Sequence, residues 1–209
     1  GAGVGGAYRY NTAAVPQNTT IIHEENRPQV QTIVNTNNGQ PMTPEQLYAA
    51  NLPSCVGITV NTTQNIWGQT TTSAASGSGF VYSRDGYIVT NYHVIEEADR
   101  DDSGSVTIQV SFANGEKYDA RLVGGEKDND VAVLKIEADG LTPVTLGDSS
   151  KLVVGESVYA IGNPLGELTY SLTDGIVSAL DRLITTTGAD ENGRQTSTTL
   201  NVLQTNCAI

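Results

Sequence analysis

The chain has 209 residues, 38% of them hydrophobic, and carries a net charge of −12 at pH 7 with an isoelectric point near 4.4. This length suffices for one large or two small domains with a sizeable core. The acidic balance argues against nucleic acid or an anionic membrane as partner, because both require clusters of Lys and Arg.

The chain opens without an initiator methionine on Gly1-Ala2-Gly3-Val4-Gly5-Gly6-Ala7-Tyr8. Such a run cannot span a bilayer, which takes about 20 apolar residues. It reads either as the tail of a membrane anchor or signal whose front is missing, or as flexible linker. Residues 1–42 are rich in Asn, Thr, Gln and Gly without sustained periodicity, which predicts a flexible linker or arm. His23 lies there as Ile22-His23-Glu24-Glu25, not the spacing of a zinc helix, and reads as a solvated loop residue. Asn18 and Asn61 match the short glycosylation pattern, to which no function is attached.

Thr43-Pro44-Glu45-Gln46 begins a short helix over 43–50, with threonine as N-cap, proline at the first helical position and glutamine completing a capping box. The pattern then turns to strands. Cys55–Val60 is β-rich, and Asp85-Gly86 between Phe80–Tyr82 and Tyr87–Val89 predicts a hairpin, since that dipeptide tolerates positive φ. His93 is placed at the end of the hairpin strand, with at most one helical turn after it. Val106, Ile108, Val110 and Phe112 alternate on one face of a half-buried strand. Asn114-Gly115 turns into a second alternating segment with Tyr118, Ala120 and Leu122 on one side. Further strands are expected at 131–136, 158–161, 169–172, 175–180 and 199–203.

Many short strands separated by turn signals predict an all-β sandwich or barrel. Asp139-Gly140 and Thr142-Pro143 mark a boundary, giving a first β-barrel with its leading helix over 43–138 and a second over 139–209. The second half has one or two strands too few to close, and Ile209 falls at an apolar strand without a turn, so the chain reads as a piece of a longer protein. Cys55 and Cys207, the two cysteines, are too far apart for a CxxC redox or zinc motif. They read either as two buried thiols or as a disulfide joining the first strand to the last.

Two residues stand out chemically. His93 follows the polar pair Thr90-Asn91, and Asp130 abuts the apolar strand Val131–Ile136, with Asp128 as a rival acid. An imidazole presenting one nitrogen to a nucleophile needs a carboxylate on its other N–H. Ser149, in Gly147-Asp148-Ser149-Ser150, lacks the following glycines of a nucleophile loop and reads as a structural turn.

The order of motifs resembles the HtrA (DegP-like) branch of the chymotrypsin-fold serine proteases. Gly77-Ser78-Gly79-Phe80 leads through the hairpin to Thr90-Asn91-Tyr92-His93-Val94. Asp130-Val131-Ala132-Val133-Leu134-Lys135 follows, then Leu146-Gly147-Asp148-Ser149, then Gly155 through Ala160-Ile161-Gly162-Asn163-Pro164, and finally Thr173-Asp174-Gly175-Ile176-Val177-Ser178. The resemblance covers roughly residues 50 to 209. It implies a chymotrypsin-like double β-barrel with the second barrel incomplete, His93 as general base and then acid, and Asp130 as the group that fixes its tautomer. It also implies that the nucleophile serine lies beyond Leu203-Gln204-Thr205-Asn206-Cys207-Ala208-Ile209, outside this chain. The function implied is a bacterial, extracytoplasmic serine endopeptidase, secreted or membrane-anchored, acting on envelope proteins in quality control. Its expected partners are a protein or peptide substrate, the missing C-terminal segment of the protease domain, a PDZ domain and further copies of itself, with no nucleic acid, cofactor or metal. The competing expectation is an inactive pseudoprotease or peptide-binding β module, which would have no reason to keep both His93 and Asp130.

Overall fold

The structure, a computed structural model, describes residues 36–37, 40–66, 69–163, 170–189 and 195–208. Most of the arm expected over 1–42, including Asn18 and His23, lies outside the described residues. Within it, β1 (Thr36–Asn37) pairs antiparallel with β2 (Gln40–Pro41). Helix α1 (Pro44–Asn51) forms as its capping signals predict. The Thr43 hydroxyl accepts from the Gln46 N–H at 3.3 Å, and the Gln46 carboxamide accepts from the Thr43 N–H at 3.1 Å.

A 3-10 turn (Leu52–Ser54) leads into β3 (Cys55–Ile66), which runs antiparallel to β4 (Gln69–Val81). Then follow β5 (Tyr87–Thr90), helix α2 (Tyr92–Asp99), β6 (Val106–Phe112), β7 (Lys117–Glu126) and β8 (Val131–Ile136). These strands close a barrel in the order β3-β4-β5-β8-β7-β6. Alternate residues fill it: Val56, Ile58 and Val60 from β3, Ile108, Val110 and Phe112 from β6, and Ala132, Leu134 and Ile136 from β8, joined by Tyr92, Val94 and Ile95 of α2. Burying one such aliphatic side chain is worth about 2 kcal/mol, so this core, rather than the exposed parts of the ribbons, holds the geometry of whatever the barrel carries.

Beyond the barrel, β9 (Ser157–Gly162), β10 (Ser171–Ala189) and β11 (Gln195–Thr205) form a three-stranded antiparallel sheet with β10 in the middle. The two strands expected at 169–172 and 175–180 are one continuous β10, and Thr169 lies outside the described residues. The gap expected at 173–174 is part of the strand. A Cβ at Gly175 would stand 2.5 Å from the Asn206 side-chain oxygen and 2.8 Å from the Cys207 nitrogen, so glycine there serves close backbone approach.

The two sheets meet through polar contacts. Tyr170 Oη accepts from the Gly57 N–H at 2.9 Å and donates to the Ser111 carbonyl at 2.8 Å. The Tyr48 hydroxyl of α1 donates to the Tyr170 carbonyl at 2.9 Å, and the Asn163 N–H donates to Ser78 Oγ at 2.8 Å. This contact explains why Ser111, on the polar side of an alternating strand, is nonetheless buried. The cysteines stay apart: the Cys55 thiol donates to the Asn51 carbonyl, the Cys207 thiol to the Val158 carbonyl, and both are free. The disulfide alternative is therefore not realised; each thiol is turned into its own local hydrogen bond.

The hairpin at Asp85-Gly86 forms, closed by the Tyr82 N–H on the Tyr87 carbonyl at 2.8 Å. Gly86 adopts φ 99°, its carbonyl accepts from the Ile136 N–H at 3.0 Å, and a Cβ on it would collide with the Ile136 carbonyl oxygen. Gly86→Ala is expected to destabilise the fold by about 3 kcal/mol, adding a backbone clash to the cost of positive φ. Urea unfolding checks this: a midpoint unchanged from the parent would mean that the loop absorbs the methyl group.

Candidate active site

β5 pairs with β8 in a register that sets Thr90 opposite Ala132, so the residues just after β5 and just before β8 share one end of the barrel. His93 comes from the first side and Asp130 from the second. His93 is not at a strand end, as the hairpin pattern suggested, but in the first turn of α2. Tyr92, Val94 and Ile95 turn inward and are buried, while the His93 side chain is 69% exposed. Val94-Ile95 contributes to the barrel core from a helix, which is why the pair looks like a strand continuation.

The imidazole Nδ1 of His93 lies 2.8 Å from Asp130 Oδ2. Asp130 Oδ1 accepts from the His93 backbone N–H, also at 2.8 Å. The carboxylate thus grips one residue at two points. A carboxylate only accepts, so this contact favours the neutral tautomer with the proton on Nδ1 and Nε2 as the acceptor, the form suited to taking a proton from a hydroxyl.

Asp130 has φ 53° and is the only non-glycine at positive φ among the described residues. Its turn is tied down on several sides. The Asp130 N–H donates to the Lys127 carbonyl at 3.2 Å. The Glu126 carboxylate accepts from the Asp128 N–H at 3.0 Å, the Asn129 N–H at 2.9 Å and the Asn129 carboxamide. Asn91 Nδ2 donates to the Asp130 carbonyl at 3.1 Å. Lys127 in turn donates to Glu96 Oε1 of α2 at 2.8 Å, where Arg100 joins it at 2.7 Å. These cations, Lys127 foremost, hold the Glu96 carboxyl below its ordinary value of 4.5. The Tyr92 hydroxyl donates to Asp99 Oδ2 at 2.7 Å, and that bond, with burial, pushes its pKa up to about 12.

Of the two acids near β8, Asp130 is the one set against His93; Asp128 instead has its backbone N–H in the Glu126 cap. Ser149 starts a 3-10 turn (Ser149–Lys151), with Asp148 accepting from the Ser150 N–H at 3.1 Å and the Ser150 hydroxyl at 2.6 Å. Those bonds, Ser150's hydroxyl first, hold Asp148 below its ordinary carboxylate value. An open cleft of about 700 Å3, lined by Leu47, Cys55, Phe80, Val158 and Tyr159 among others, lies between α1, β4 and β9 and includes neither His93 nor Asp130. Burial there pushes the Cys55 thiol up. Glu126 and Lys127 are parts of the site that the sequence does not mark, and Asn91, visible there as half of the polar pair Thr90-Asn91, carries no sign of its bond to Asp130.

Comparison with known proteins gives consistent results. The model of the trypsin-like peptidase domain matches residues 77–209. A probable periplasmic serine endoprotease, DegP-like, from Halomonas elongata is 51% identical over 108 residues, which are 52% of this chain and 21% of that protein. The serine protease Do-like HtrA of Bacillus subtilis is 38% identical over 172 residues, 75% of this chain and 35% of that one. The chain thus spans between about a fifth and a third of the length of these relatives. Among solved structures, Deg5 aligns with a TM-score of 0.58 at 39% identity, over 78% of this chain and 72% of that one. The HtrA-type protease AlgW with a decapeptide aligns at 0.60 and 26% identity, over 80% and 52%. Together with the closed barrel and the partial second sheet, these bear out the all-β, chymotrypsin-like expectation.

Proposed function

The chain belongs to the HtrA branch of the trypsin-like peptidase family, and on that premise we propose that its barrel supplies the histidine and aspartate of a Ser-His-Asp triad in a serine endopeptidase. The observation that carries this reading is the two-point grip of Asp130 on His93, at 2.8 Å through Nδ1 and 2.8 Å through the backbone. With Nδ1 protonated, His93 Nε2 takes the proton of the serine hydroxyl as that oxygen attacks the peptide carbonyl. Asp130 stabilises the imidazolium, which then gives the proton to the departing amine.

The serine is proposed to follow residue 209. Four serine hydroxyls among the described residues are engaged elsewhere: Ser78 with the Asn163 N–H, Ser83 with Asp85, Ser111 with the Gly57 carbonyl and Ser150 with Asp148. The substrate class proposed is protein or peptide, in quality control outside the cytoplasm; relatives named periplasmic endoproteases and an HtrA-type structure holding a decapeptide support it. Attachment to a PDZ domain, assembly with further copies and a membrane tether belong to the same proposal.

A fluorophosphonate probe tests the division of labour, because it reacts with serines that a neighbouring base has activated. The 209-residue chain is expected to stay unlabelled. A form extended past residue 209 is expected to take up one equivalent. Stoichiometric labelling of the shorter chain would place the nucleophile within it and overturn this part of the proposal.

A further inference from the structure

Asn91 occupies the N-cap of α2 with extended backbone (φ −80°, ψ 145°), yet its side chain makes no capping bond. Asparagine is favoured at that position because its oxygen accepts from an N–H of the first helical turn. Here the His93 N–H of that turn is taken by Asp130 Oδ1, at 2.8 Å, and Asn91 Nδ2 donates instead to the Asp130 carbonyl, at 3.1 Å. The two residues have exchanged partners. An acid from the far side of the β5–β8 pair caps the helix, and the helix's own cap residue holds the backbone of the acid.

That backbone needs holding. Asp130 sits at φ 53°, a conformation that aspartate tolerates better than most non-glycine residues but that still costs more than negative φ. Relaxing to negative φ would rotate the peptide on which Asn91 pulls and swing the carboxylate away from Nδ1. We propose that Asn91 is a positioning residue for the His93–Asp130 pair, and that its carboxamide N–H, rather than its capacity to cap, is the property used. The inference rests on the proposed proton-transfer role of the pair, since its aim matters only if the pair moves protons. The carboxamide is required because it reaches the Asp130 carbonyl as a donor. Serine and aspartate cap helices equally well, but serine's hydroxyl is on a shorter stem and aspartate's carboxylate cannot donate.

The test uses this chain with His23→Gln, so that His93 gives the only imidazole signals. In 15N-histidine-labelled protein, the two ring-nitrogen shifts of the neutral imidazole report which nitrogen carries the proton. The parent is expected to be predominantly Nδ1–H. Asn91→Ser and Asn91→Asp should each move the tautomer ratio about threefold or more toward Nε2–H, the effect of losing one hydrogen bond, with Tm held within a few degrees. An unchanged ratio in both variants overturns the proposal, and an unchanged ratio with a lowered Tm reduces the Asn91–Asp130 bond to a structural tie without influence on the imidazole. A parent lacking the Nδ1–H preference overturns it as well. The readout does not involve turnover, so it stands or falls separately from the assignment of His93 as the base.

Discussion

Replacing His93 by alanine in a form extended past residue 209 should lower kcat on an unfolded protein substrate by on the order of a millionfold, while KM changes little. The size follows from the way the proposed triad works. Without an imidazole to accept its proton, a serine hydroxyl near neutral pH is a poor nucleophile, and the loss is about as large as losing the serine itself. The structure also makes this variant a clean one. The His93 side chain is 69% exposed and makes no contribution to the buried set of α2, which consists of Tyr92, Val94 and Ile95. Folding should therefore survive, and thermal unfolding run beside the kinetics separates a chemical loss from a structural one. Retained hydrolysis with an unchanged Tm would remove His93 from the mechanism.

Asp130→Asn should cost about 10⁴-fold in kcat, again with the fold intact. Asparagine is the replacement that isolates the charge, because among non-glycine residues Asn and Asp tolerate positive φ best, and the backbone at φ 53° can be kept. Its oxygen can still accept from the His93 N–H and cap α2. Its NH2 group, however, would donate to Nδ1, which then must be the unprotonated nitrogen. The proton moves to Nε2, and the nitrogen that should accept from serine becomes a donor. Asp130→Ala would mix this chemical effect with lost capping and with backbone strain. Steady-state kinetics of the asparagine variant checks the expectation, and activity within tenfold of the parent would show that the tautomer is set by another group.

The features legible in the sequence are those with a local cause. The capping box at Thr43 and Gln46 needs only its own residues, and it forms as read. The alternation of Val106, Ile108, Val110 and Phe112 is visible because one side of β6 faces the core. The outer parts of β3 and β4 escaped notice for the opposite reason. From Gln69 to Ser76 β4 is exposed on both faces, so no period marks it as strand. Helix α2 spans only Tyr92–Asp99, too short for its period to stand out against a preceding strand. Gly175, expected at the start of a strand, lies inside the continuous β10 with a neighbour pressed against it.

The site divides similarly. The motifs name His93 and Asp130, but their distance is a product of topology: β5 and β8 are neighbours in the barrel although α2, β6 and β7 separate them along the chain. The support for Asp130 is less legible still. A glutamate capping a turn and an asparagine that caps nothing are ordinary polar residues until the register brings them to one place.

Tyr170 has a consequence for how the molecule comes apart. Its hydroxyl stands between two strands of the closed barrel, satisfying the Gly57 N–H of β3 and the Ser111 carbonyl of β6 at once. Peeling the second sheet away would strip both groups of their partner in a seam that Ser111 shows to be shielded from water, where each orphaned group costs about 1–3 kcal/mol. Partial detachment that leaves the seam dry is therefore penalised at its first step, which makes Tyr170 a residue through which loosening of the second sheet is expected to be felt by the barrel.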